Sequence, residues 1–195
     1  MSMTHIPNFQ VNRSGTEIAM SPLSYEFSYN RTIYLTGEVD DMSVMVLISQ
    51  IRTLQSTSTE DITLIINSGG GSVTAGKALI DMMKVSPCDI RTECIGIAAS
   101  MAAVILACGA RGKRTIHKHA EVMIHQPLAG IKGQATDISI MCDHLSKVKA
   151  EIIDILAEET GNDKSRLSAD MERDNWMTAE EALGYGICDT ILEGA

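Results

Sequence analysis

The sequence predicts an α/β fold in one domain, and three observations carry that expectation. Short apolar runs of strand length alternate along the chain with stretches whose apolar residues recur three and four apart. No segment repeats at a fixed period. Of the 195 residues, 45% are hydrophobic and 21% charged, enough apolar side chain for one core of real size. Aromatics make up only 4%, so that core is expected to be Ile, Leu, Val, Ala and some of the 12 methionines.

In chain order, residues 1–30 are polar and weakly periodic, with Pro7 and Pro22, and read as an N-terminal arm, flexible or ordered by a partner. Residues 31–195 form the domain proper. Thr32 to Thr36 is a short strand stopped by Gly37. Asp40 or Asp41 then caps a helix with Val44, Leu47, Ile48, Ile51 and Leu54 on one face. Ile62 to Ile66 is a nearly continuous apolar strand of the kind buried on both faces. It runs through Asn67-Ser68-Gly69-Gly70-Gly71-Ser72 into a helix over roughly 74–84. Pro87 breaks the chain before a strand over 90–97 and a run of small helix formers over 98–108. Strands near 113–116 and 121–125 follow, the second ended by Pro127. Gly130 to Gln134 is glycine-rich and expected to be mobile. The longest helix, about 136–160, carries Ile138, Met141, Leu145, Val148, Ile152 and Ile155 as a stripe. That stripe either meets a helix of another subunit or packs on the chain's own sheet. A short helix near 164–169, a capping box at Thr178 and Glu181 for a helix ending at Gly184, and a strand over 187–192 close the domain.

Composition excludes several classes of function. A net charge of −9 with no basic run argues against a nucleic-acid surface. Five cysteines lie far apart with no CxxC pair, so neither a metal site nor a disulfide framework is expected; buried free thiols are. The first 30 residues hold no apolar leader core, and no run approaches the roughly 18 apolar residues of a membrane span. The expected setting is cytoplasmic, away from membranes.

Three places carry chemistry. Ser100 stands at the strand-to-helix junction Ile95-Gly96-Ile97-Ala98-Ala99-Ser100-Met101-Ala102-Ala103. It either caps the helix, as serine commonly does, or is a nucleophile beside unpaired backbone N–H groups. The glycines at 69–71 either make a tight turn or bring backbone N–H groups close to a ligand; they lack the lysine and spacing of a phosphate loop. His125 ends a strand, where open α/β sheets place their sites, and is either structural or an acid/base group. His5, His117, His119 and His144 have weaker claims from the arm, a basic turn and a helix.

Five segments together resemble one family. Ile66-Asn67-Ser68-Gly69-Gly70-Gly71, Gly96-Ile97-Ala98-Ala99-Ser100-Met101 and Met123-Ile124-His125-Gln126-Pro127-Leu128 are similar to signatures of the Clp protease proteolytic subunit. So are Gly133-Gln134-Ala135-Thr136-Asp137-Ile138 and Glu172-Arg173-Asp174, in the family's order and spacing, over about 32–192.

The resemblance implies a serine endopeptidase of an ATP-dependent Clp protease, hydrolysing unfolded proteins inside a ring-shaped chamber. Carried over by position, Ser100 is the nucleophile, His125 the general base and Asp174 the group that orients His125. Gly71 and Met101 supply the oxyanion-hole N–H groups; Gly70, Ser72, Val73, Leu128 and Gly130 line an extended substrate. The implied fold is a crotonase-like spiral of ββα units, with the long helix and a Gly130 to Gln134 strand as a protruding handle. Implied partners are further copies in heptameric rings stacked as a double ring, and an AAA+ Clp ATPase of the ClpX, ClpA or ClpC kind. No cofactor or metal is implied in this subunit; ATP is used by the ATPase.

The sequence departs from the family in three respects. Gly69 replaces the usual proline, which should loosen the oxyanion loop modestly. The arm does not resemble the usual axial loop. The positions matching the ATPase-docking pocket are Thr63, Ile65, Glu93, Ile95 and Thr115, with Leu192 kept. A charge there is expected to weaken capture of an apolar loop, which points to an unusual ATPase or to a sister subunit in a mixed ring. The alternatives are a poorly active or structural ring subunit, against which the intact Ser100, His125 and Asp174 argue, and a crotonase-fold acyl-CoA enzyme, which does not need those three together.

Overall fold

The N-terminal segment holds structure that its periodicity does not announce. In the computed structural model, which describes residues 8–13, 15–130 and 132–193, β1 (Phe9–Arg13) and β2 (Thr16–Met20) form an antiparallel hairpin with Val11 opposite Ile18. Helix α1 (Pro22–Tyr29) follows, its N-terminus capped by the Ser21 hydroxyl and opened by Pro22. Four of the five β2 residues are exposed, so no apolar alternation marks the strand. The rings of Phe9 and Tyr25 lie 5.5 Å apart, and Tyr25 stacks on Tyr29 at 4.7 Å. Residues 1–7 of the expected arm, His5 and Pro7 included, lie outside the described residues.

The sheet then grows one neighbour at a time. Strand β3 (Thr32–Val39) continues past Gly37, where the sequence reading stops it, through a register shift between Thr36 and Glu38. Helix α2 (Asp41–Gln55) is capped reciprocally by Asp40 and Ser43 and buries Val44, Leu47, Ile51 and Leu54. The polar turn after it is gathered by Arg31, whose guanidinium donates to the carbonyls of Leu54, Ser58, Glu60 and Asp61 at 3.1–3.3 Å. Next come β4 (Ile62–Gly71), α3 (Val73–Val85), β5 (Ile90–Ala99), α4 (Met101–Ala107), β6 (Arg114–His117) and β7 (Glu121–Ile124). After them stand α5 (Ala135–Thr160), α6 (Lys164–Asp170), β8 (Asn175–Met177), α7 (Ala179–Tyr185) and β9 (Thr190–Leu192). Strand β8 has no counterpart in the sequence reading; three residues are too few to show a period.

The strand order is β3-β4-β5-β6-β9, all parallel. One face of the sheet is sealed: Ile33, Leu35, Ile62, Leu64, Ile66, Ile90, Thr92, Cys94 and Ile116 are buried. Helix α4 is the centre of that core, with all seven residues buried. The alternate residues Tyr34, Thr63, Ile65, Glu93, Ile95 and Thr115 are only half-buried. The expectation that 62–66 is buried on both faces is therefore corrected: an apolar run reports what a strand can bury, not what covers it. Glu93 is not an unpaired carboxylate on that outer face, because His117 Nε2 stands 2.9 Å from its Oε1.

The long stripe divides. Ile152 is in the core, beside Ile153 and Leu156 of the same helix, whereas Ile138 and Met141 are 37% and 45% exposed. The described residues of the expected 130–134 strand form no ladder with any other described residue, and Ile131 lies outside them; a strand needs a partner for its N–H and C=O groups. Four cysteines are buried, and burial pushes Cys94 and Cys108 up to about 12, far from thiolate chemistry. Cys142, on α5, is exposed, against the expectation for buried thiols.

Candidate active site

The site is built where β5 forks. Its first half pairs with β6 (Thr92 opposite Arg114, Cys94 opposite Ile116) and its last residues pair with β7 (Ile97 opposite Glu121, Ala99 opposite Met123). Gly96 stands at the change, at φ 75°, and a Cβ there would lie 2.8 Å from the Asn67 side-chain oxygen. The parallel register carries Ser100 beside the end of β7, and its N–H donates to the Met123 carbonyl at 2.8 Å. Strand β8 runs antiparallel to β7 with Ile124 opposite Asn175. The residue after Ile124 therefore faces the residue before Asn175: His125 meets Asp174. Three strands bring together side chains 25 and 49 positions apart.

Ser100 sits at φ 55°, ψ −123°, a conformation that costs a non-glycine residue about 1–3 kcal/mol. Its hydroxyl makes no capping bond to α4. It lies instead 2.8 Å from His125 Nε2, and His125 Nδ1 lies 3.0 Å from Asp174 Oδ1. Because a carboxylate only accepts, neutral His125 carries its proton on Nδ1, leaving Nε2 bare to accept from Ser100. The imidazole is sheltered, with 14% of its side chain exposed, while Asp174 is 61% exposed. Such a hydrogen-bonded series can take a proton from the serine as its oxygen attacks a carbonyl.

The glycine loop lies directly under the serine. Gly70, at φ 91°, has no room for a side chain: a Cβ would stand 2.5 Å from the Ala99 carbonyl and 2.7 Å from Ser100 Cβ. Gly70→Ala is therefore expected to push Ser100 from its position and lower kcat by about 100-fold, the scale of an ångström's misplacement, in a peptide-hydrolysis assay. Beside the serine opens a groove of about 460 Å³ lined by Gly71, Ser72, Val73, Leu128 and Ala129, with Met141, His144, Leu145 and Val148 of α5 as the opposite wall. Leu128 is 81% exposed at its rim. Of the expected substrate residues, Ser72, Val73 and Leu128 line this groove; Gly70 lies beneath Ser100 and Gly130 stands outside the lining. A smaller apolar recess, between Val104, Ile152, Leu156 and Met171, adjoins Ser100 and His125. The α5 wall is absent from the residues expected to bind substrate, although the stripe already contained Met141, Leu145 and Val148; His144 shares their face by helical spacing.

No described helix is long and apolar enough to cross a membrane. The family model described as Clp protease matches residues 15–195. The chain is 48% identical over 163 residues to the ATP-dependent Clp protease proteolytic subunit of Borrelia garinii subsp. bavariensis, covering 83% of this chain and 84% of that one. It is likewise 48% identical over 163 residues to the ATP-dependent Clp protease proteolytic subunit 1 of Borreliella burgdorferi, with the same coverage of 83% and 84%. To the ATP-dependent Clp protease proteolytic subunit 2 of Corynebacterium diphtheriae it is 46% identical over 166 residues, 85% of this chain and 83% of that one.

Proposed function

Because the chain belongs to the Clp protease family and is a serine peptidase of that family, we propose that it cleaves peptide bonds through Ser100 as nucleophile, His125 as general base and Asp174 as the group that orients His125. The observation that supports this most is the unbroken hydrogen-bonded series from Ser100 Oγ through both His125 nitrogens to Asp174 Oδ1, at 2.8 and 3.0 Å. An extended peptide lies in the groove beside Ser100, between Ser72-Val73 and Leu128-Ala129. His125 takes the Ser100 proton as Oγ adds to the scissile carbonyl, and Asp174 keeps the imidazole in the right tautomer and offsets its charge. The backbone N–H groups of Gly71 and Met101 receive the oxyanion. Met101 opens α4, where a helix leaves its first N–H groups unpaired. His125 then gives the proton to the departing amine; water, deprotonated in turn by His125, adds to the acyl carbonyl, and His125 returns that proton to Ser100 Oγ as the acyl group leaves as a carboxylic acid. The chemistry asks for no cofactor in this subunit.

The same reading makes the chain one member of heptameric rings stacked in pairs, working with an AAA+ Clp ATPase that delivers unfolded protein. Uncovered apolar side chains favour assembly: Leu23, Met42, Met45 and Val46 on α1 and α2 are 51–64% exposed, and the first half of α5 presents Ile138, Ile140 and Met141. The half-buried outer face of the sheet, with Glu93 held by His117, is the surface offered to the ATPase, and a polar pair there favours a docking loop that is not purely apolar. A fluorophosphonate probe tests the catalytic reading directly. Intact-mass analysis should find one adduct per chain, mapped to Ser100, and none in His125→Ala. An adduct elsewhere, or one undiminished without His125, refutes it.

A further inference from the structure

Among the described residues, the loops that bear His125 and Asp174 are tied to α5 by hydrogen bonds through one side chain, Lys149. Gln126, next to His125, donates its backbone N–H to the Met171 carbonyl at 2.7 Å and its side-chain amide to the Glu172 carbonyl at 3.0 Å. Lys149, on α5, donates to Gln126 Oε1 at 2.9 Å and to Glu172 Oε2 at 3.1 Å. The Lys149 side chain is 27% exposed and does not line the substrate groove. Asp174 makes no side-chain hydrogen bond besides the one to His125 among the described residues, and the strand after it has three residues. Its place therefore depends on the β7–β8 pairing on one side and on what holds residues 171–172 on the other.

We propose that Lys149 is a positioning residue for the reaction: its ammonium, bridging Gln126 and Glu172, holds the His125 and Asp174 loops in register with each other and with Ser100. The inference rests on the catalytic roles proposed above. Gln126 already joins the two loops by two hydrogen bonds, and the cation, with an acceptor on each loop, adds a charged tie that anchors both to α5. The hydrogen bond and charge of Lys149 also hold the Glu172 carboxyl below its usual range. An ordinary surface ion pair contributes little to stability and nothing to rate, and that difference separates the two readings.

The experiment uses the full chain with Lys149→Met, Lys149→Arg, Glu172→Gln and, as a control, Lys77→Met. Lys77 pairs with Glu151 at 2.6 Å, tying α3 to the same helix away from the site. Measured are kcat and KM on a short fluorogenic peptide and the rate of fluorophosphonate labelling. Lys149→Met and Glu172→Gln should lower kcat and labelling by about 10- to 100-fold, the scale of a small misplacement of reacting groups. KM should stay within about threefold of its starting value, Lys149→Arg should restore most of the rate, and Lys77→Met should behave as the unaltered protein. Glu172 is 57% exposed, so Glu172→Gln stays folded and decides the question if Lys149→Met does not fold. Lys149→Met and Glu172→Gln both labelling at the original rate, or raising KM alone, overturn the positioning role. Ser100→Ala run alongside separates the two levels: labelled Ser100→Ala sinks the triad itself, while an inert Ser100→Ala beside fully active Lys149→Met sinks only the role of Lys149.

Discussion

Ser100→Ala should lower kcat for peptide hydrolysis by about 10⁴- to 10⁶-fold while the chain folds and assembles as before. The methyl group fills the same space in the same strained turn, and the lost hydroxyl was not capping α4, so the helix loses nothing. Only the bond to His125 Nε2 disappears. Asp174→Asn should cost less. Replacing the buried carboxylate of a comparable triad lowers kcat by about 10⁴-fold, but Asp174 is 61% exposed, and water weakens its hold on the imidazolium. We expect a loss of order 10²- to 10⁴-fold, read from kcat against pH, with residual activity rising at alkaline pH. Equal losses for Ser100→Ala and Asp174→Asn would mean that Asp174 acts in a drier site than this chain alone provides.

The largest effect on stability is expected at Asp189. Its carboxylate receives Arg114 through Nη2 at 2.6 Å, Nε at 2.9 Å and the backbone N–H at 3.0 Å. The Arg114 side chain is 6% exposed, and its Nη1 donates to the carbonyls of Ala107 and Glu159 at 3.1 Å. Arg114 thereby ties the end of the core helix α4 to the end of α5 and to the approach to β9. Asp189→Ala leaves the guanidinium buried without its counter-charge, which costs about 3–5 kcal/mol. For a chain of this size that is a fall in Tm of roughly 6–20 °C. The pair also predicts a pH dependence. Burial pushes the Asp189 carboxyl up, but the hydrogen bonds and charge of Arg114 outweigh it and hold the carboxyl below its usual range. A folded value below the unfolded one means the contribution is complete above about pH 4 and is lost as pH falls through the folded value. Calorimetry at fixed protein concentration should show Tm falling less steeply on acidification in Asp189→Ala than in the unaltered chain. Parallel slopes would assign the acid sensitivity to other carboxylates.

Much of this architecture was legible in the residues. The cap offered at Asp40 or Asp41, the capping box at Thr178, the spacing of Val44 to Leu54 and the run from Ile62 to Ile66 are local signals, decided by neighbours within a few positions, and the elements stand where those signals put them, with Asp40 as the cap. Strand ends were less legible: β3 and β4 outrun their apolar runs because backbone pairing to a neighbour carries a strand through glycines that have no propensity for it, and β5 takes in Ala98 and Ala99, helix formers held by pairing to β4 and β7. The N-terminal hairpin and β8 carry no sequence period for a related reason: they are short, and most of their residues are not buried.

At the site, the residue types were set by the sequence and the choice among their roles was not. Ser100 and His125 each had an ordinary structural use open to them, and only resemblance joined them to each other and to Asp174. By itself the sequence determined an α/β chain with an acidic surface, an aliphatic core and a serine at a strand-to-helix junction. The tertiary structure decided that the serine hydroxyl turns from the helix to His125, that Gly70 lies under it, and that α5 forms the far wall of the groove. The physical reason is that a hydroxyl bonds whichever partner its backbone angles present. Those angles at Ser100, like the meeting of His125 with Asp174, come from the register of β5, β7 and β8, a relation between distant segments that no local spacing encodes.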